Sequence, residues 1–195
     1  MFRSLSFAVL VILVAGLAQR SNASILVANT ALTSAGESPP TSPGIGFAHV
    51  TIDTSLHTLS VEFTFNGLLG NTTASHIHAP TSVPLSGNAG VATQTPYFTG
   101  FPVGVTSGTY ADTFDMTQAA TWNAAFITAQ GGTPATAEAA FVSAMEAGKA
   151  YLNIHTNLYP GGEIRGFLQV PEPSILSLAF GAGLPLLLAR RRTQH

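Results

Sequence analysis

The strongest constraint on the fold is an alternation of apolar and polar residues with period two, broken by tight reversals. It is clearest near the C-terminal end. Tyr151, Asn153 and His155 point one way, while Leu152 and Ile154 point the other. Pro160, Gly161 and Gly162 follow, supplying a fixed φ and then two residues that tolerate positive φ, as a chain reversal requires. Residues 163–169 alternate again, with Ile164 and Leu168 suited to a core face. An earlier segment repeats the pattern. Residues 47–53 and 58–65 alternate around a turn, with Leu59, Val61, Phe63 and Phe65 on one face. Both stretches predict antiparallel hairpins.

The remaining segments fit around these hairpins. Residues 25–32 are apolar enough for a first strand, and residues 36–46 are a loop rich in Pro, Ser and Gly. Residues 83–113 predict one or two further strands among loops. Residues 117–130 and 134–148 are Ala-rich and place Trp122, Phe126, Phe141 and Met145 at helical spacing. Thr133 is a suitable N-cap before Pro134, and Gly148 a suitable stop. The expected fold is mainly β: an antiparallel β-sandwich or barrel-like domain with one or two short helices before the last hairpin.

Two groups of residues carry candidate chemistry. The first is the polar cluster of the last hairpin, Asn153, His155, Glu163 and Arg165, in a chain otherwise short of charge. Pairing across the turn would bring Arg165 near Asn153 or His155. One reading is architectural, with Arg165 fanning its donors onto carbonyls or Glu163. The other is a ligand or metal site built on His155. The second group is His76 and His78, which share a face if they lie in a strand. Neutral imidazole suits zinc, copper and nickel, but two ligands are too few for a held ion. With His155 they would be three. The alternative is an exposed or hydrogen-bonded pair at a strand end. His49 is expected on a solvated strand face and His57 in a turn.

The run from Tyr151 through Asn153, Ile154, His155 and Thr156 to Pro160, Gly161, Gly162, Glu163, Ile164, Arg165 and Gly166 resembles the closing motif of the CHRD domain. The run Ala74-Ser-His-Ile-His-Ala-Pro80 resembles that family's other landmark. The resemblance spans about residues 24–169 and implies an extracellular all-β module of poorly defined biochemical activity.

Both ends of the chain carry export features. Residues 1–23 have Arg3 at a positive start, fourteen mostly apolar residues from Leu5 to Ala18, and small residues before Ser24. This is the pattern of a signal peptide, removed by signal peptidase. Residues 170–195 contain Pro171, Glu172 and Pro173, sixteen mostly apolar residues, and then Arg190, Arg191 and Arg192. As a helix the apolar stretch would rise about 24 Å, short of a hydrocarbon core of roughly 30 Å. The segment resembles the PEP-CTERM sorting signal of certain Gram-negative bacteria. That resemblance implies transient inner-membrane insertion, recognition and cleavage by an exosortase, and delivery to the cell envelope, surface or exterior.

Composition narrows the function. Between residues 24 and 169 only Lys149 and Arg165 are basic against eight acidic residues, a net charge of −6. This excludes nucleic acid as a partner, which needs clustered basic residues. The lack of cysteine excludes disulfides, thiol catalysis and Cys-based zinc sites. Three functions remain. The first is a non-catalytic surface or extracellular-matrix module, with exopolysaccharide or surface proteins as partners. The second is a copper or zinc protein using His76, His78 and His155. That pattern resembles copper-zinc superoxide dismutase but lacks its cysteine pair, its His-rich zinc loop and an obvious fourth ligand. The third is a hydrolase pairing Glu163 with His155, which no catalytic motif supports.

Overall fold

The computed structural model describes residues 25–171. The signal segment, and Glu172, Pro173 and Arg190 to Arg192 of the sorting segment, lie outside the described residues. Seven strands are present: β1 (Ile25–Thr33), β2 (Ile45–Asp53), β3 (Thr58–Asn66), β4 (Thr72–His78), β5 (Gly108–Asp115), β6 (Tyr151–Thr156) and β7 (Ile164–Phe167). They form one antiparallel sheet in the order β4-β6-β7-β1-β2-β3-β5. The sheet curls into a half-barrel, a single layer rather than the two layers of a sandwich.

The alternation expected from the sequence decides which side of each strand is buried. In β3, Leu59, Val61, Phe63 and Phe65 are buried while Glu62 and Thr64 are exposed. Asp53 closes the β2–β3 turn by accepting from the Ser55 and Leu56 amides at 2.8 and 3.0 Å. The last hairpin forms as expected, with Asn153 opposite Arg165. It docks on the free side of β1, so the end of the chain closes against its beginning.

Helices α1 (Ala124–Ala129) and α2 (Pro134–Glu146) connect β5 to β6. Thr133 caps α2 in a capping box with Thr136, and Pro134 opens the helix. Phe141 and Met145 are fully buried in the core with Leu59, Ile77, Phe98 and Leu152.

One expectation needs correction. Residues 117–130 are not one helix. A 3-10 turn at Ala119–Thr121 precedes α1, and Trp122 and Asn123 between them are extended. Trp122 bridges to Thr93 and donates its indole N–H to the Met116 carbonyl at 2.9 Å, so tertiary bonding overrides local helical spacing. Residues 83–113 supply one strand, as expected, since residues 108–113 make up most of β5. The preceding segment covers the outer edge of β4: Ala92 donates to the Ile77 carbonyl at 2.9 Å and Gly104 to the Thr72 carbonyl at 2.8 Å. Edge strand β4 is thereby kept from pairing with other chains.

At Gly166, β7 passes so close to β1 that an added Cβ would collide with the Ala31 carbonyl and lie 2.5 Å from Thr30 Oγ1. Gly166→Ala is therefore expected to lower stability by about 1–3 kcal/mol in urea unfolding. An unchanged midpoint would mean that the two strands can separate without cost.

Candidate metal centre

β4 and β6 pair side by side, although 77 residues separate His78 from His155 in sequence. His76 lies opposite Asn153, His78 opposite Tyr151, and Ala74 opposite His155. Opposed residues share a face, so all three imidazoles project from one side of the sheet. The other side carries Ile77, Leu152 and Ile154, all fully buried in the core. Ala74 leaves room beside His155 because its side chain is only a methyl group.

The rings are close. His76 and His155 centroids are 4.7 Å apart, and those of His76 and His78 are 4.8 Å apart. One ring nitrogen from each of the three lies within 4.8 Å of the others. The Nε2 atoms of His76 and His155 are 2.9 Å apart, a contact that needs a proton or a cation between two nitrogens.

Backbone carbonyls decide the tautomers. His78 Nδ1 is 2.8 Å from the Ala89 carbonyl, and His155 Nδ1 is 2.9 Å from the Pro160 carbonyl. A carbonyl oxygen only accepts, so in each neutral ring the proton sits on Nδ1 and Nε2 keeps its lone pair. His76 Nδ1 is buried and has no hydrogen-bond partner. Burial pushes the His76 imidazole down to about 3, with His78 and His155 adding to the effect. Burial also lowers His78 and His155. All three are neutral at pH 7, the form that binds metal.

Arg165 anchors the rim of the cluster. Its guanidinium lies 4.9 Å above the Tyr151 ring, which stacks on His78 with ring centroids 4.7 Å apart. It donates to the Gly87 carbonyl at 3.3 Å and to Asn88 Oδ1 at 2.7 Å. These contacts, with the Ala89 carbonyl on His78, hold residues 87–89 across the face. The carboxylate beside Arg165 is Glu37, with Oε1 3.9 Å from Nε, and not Glu163.

Glu163 does not join the cluster, and that part of the expected polar row is corrected. Gly162 has φ of 129°, which breaks the alternation before β7 begins at Ile164. The Glu163 carboxylate turns away to accept from Ser42 at 2.6 Å, Thr156 at 2.7 Å, and the Leu69 and Gly70 amides at 2.5 and 3.1 Å. It ties together three loops. His49 bonds Asn29 at 2.8 Å on the strand face, and His57 pairs with Glu138 at 2.9 Å from its turn. Neither approaches the cluster. Glu37 is the residue that sequence reasoning missed. It follows the 3-10 turn Ser34–Gly36 in a loop whose composition gives no sign of a buried acid.

A family model for the CHRD domain matches residues 28–168, well over half of the chain. The chain belongs to the CHRD family. The CHRD domain is not a known enzyme family. No curated protein and no solved structure matches the chain. Both histidine motifs lie inside the matched region, and the pairing of β4 with β6 joins them.

Burial opposes ionisation of Glu163, but its four hydrogen bonds outweigh it and hold the carboxyl below its usual range. A carboxyl lowered on folding stabilises the protein above its unfolded pKa, and that stability is lost as pH falls through the folded value. Glu163→Gln is expected to cost about 1.5–3 kcal/mol at pH 7 and to flatten the loss of stability below pH 4.5, as measured by urea unfolding across pH. An equal acid slope in both proteins would place that sensitivity elsewhere.

Proposed function

We propose that this CHRD domain is an exported, non-catalytic module that holds one transition-metal ion, copper or zinc, between His76, His78 and His155. One observation carries the metal reading. Carbonyls occupy the Nδ1 side of His78 and His155, and one nitrogen from each of the three rings lies within 4.8 Å of the others across two paired strands. Metal-bound histidines have this arrangement, with the second ring nitrogen donating to a carbonyl or carboxylate. Donors bonded to one tetrahedral ion at 2.0–2.1 Å sit about 3.3–3.4 Å apart. The 2.9 Å contact between His76 and His155 is shorter than that spacing, so an ion would open this pair slightly and draw in His78.

The family match supports a non-catalytic role. Glu163 speaks against the hydrolase, because its oxygens are spent on four fixed donors. Export rests on the two chain ends, which support signal peptidase and an exosortase as processing partners and the cell envelope or exterior as destination. There the acidic surface would meet exopolysaccharide or other surface proteins.

Purified full-length protein, challenged separately with copper and zinc, is expected to retain near one ion per chain by elemental mass spectrometry. His78→Ala and His155→Ala should each abolish it. Full retention in either variant would sink the shared ion. For export, joint replacement of Arg190, Arg191 and Arg192 by alanine should leave an unprocessed longer form in the membrane fraction. Normal processing of that variant would remove the sorting reading.

A further inference from the structure

Asn153 lies opposite His76 and is 2 % exposed, so both ends of its amide must find partners inside the protein. The nitrogen end faces Glu37. It lies near the Glu37 carboxyl, beside Arg165, where it favours the charged carboxylate. An added Cβ on Gly162 would lie 2.5 Å from Glu37 Oε1 and 2.7 Å from Asn153 Nδ2, so both groups pack against bare backbone. Glu37 therefore decides which way the amide points.

The oxygen end faces the histidines. Asn153 Oδ1 is 3.2 Å from His78 Nε2. The Ala89 carbonyl holds the ring proton of neutral His78 on Nδ1, so two lone pairs confront each other across that gap. A cation between them turns the repulsion into two bonds. The separation is also close to the spacing of two donors on one tetrahedral ion, about 3.3–3.4 Å.

We propose that Asn153 Oδ1 is the fourth ligand of the ion, and that Glu37 is a positioning residue that presents the oxygen rather than the nitrogen of the amide. This inference rests on the metal reading above and sharpens it. Three imidazoles and one amide oxygen make a four-coordinate site with no position left for water or substrate. Closed sites of this kind are structural, whereas catalytic zinc keeps a position open. A harder oxygen donor in the set also favours zinc over cuprous copper, which prefers soft ligands.

Cobalt(II) is the probe, bound to the full-length protein in place of zinc. The wild-type complex is expected to show intense four-coordinate visible bands and little enhancement of water-proton relaxation. Asn153→Ser leaves a gap that water enters. It should weaken cobalt binding about 10–100-fold and raise the relaxation enhancement. Glu37→Gln, whose amide can donate to Asn153 Oδ1 and turn the side chain round, should weaken binding in the same direction and alter the spectrum. A purely structural role for Glu37 would shift the unfolding temperature and leave the spectrum unchanged. Should Asn153→Ser misfold by circular dichroism, Asn153→Asp keeps an oxygen donor and is expected to retain the closed-site spectrum. Wild-type affinity and unchanged relaxation in Asn153→Ser would overturn the fourth ligand while leaving the three-histidine site intact. No cobalt or zinc bound by the wild type would overturn both.

Discussion

The antiparallel pairing of β4 with β6 is the constraint on which the rest of the site depends. Neither strand carries enough donors alone. Set in register, with His76 opposite Asn153, they present three imidazoles and an amide within a few ångströms. A slip of one residue would send one strand's polar set into the core and bring its apolar side chains out. Burial of Ile77, Leu152 and Ile154 on the other side therefore fixes the chemistry on this side. The same apolar contacts stabilise the sheet and align the histidines.

Around that pairing the backbone sets the protonation states. The Ala89 and Pro160 carbonyls come from loops, and each holds one imidazole in a single tautomer. Residues 87–89 do double duty, accepting from both His78 and Arg165. Arg165 thus acts at a distance from the ring nitrogens, by fastening the loop that orients one of them. Its stacking on Tyr151, which lies flat on His78, braces the ring from the opposite side.

Much of this was legible in the sequence, for reasons that differ from residue to residue. Period-two alternation placed β2, β3 and β6, because each strand has one face in the core and one outside it. The His76–His78 pair and His155 were visible as candidates, but their adjacency was not, since alternation within a strand does not say which strand lies beside it. The extended break at Trp122 depended on a bridge to Thr93, a partner remote in sequence. Glu163 followed the parity of Arg165 until Gly162 turned the backbone. Glu37 left no trace, because its burial depends on the last hairpin folding over a loop more than a hundred residues earlier.

The cluster joins residues 79 apart in a chain with no cysteine. An ion held there would be a cross-link, and its effect on the unfolded chain would resemble that of a disulfide closing the same loop. By the chain-entropy relation, closing a loop of this length is worth about 4–5 kcal/mol. A cross-link of this kind has no sulfur–sulfur bond for thiol exchange to cleave, and its strength would follow the supply of metal. The domain would then owe part of its cohesion to the metal content of its surroundings.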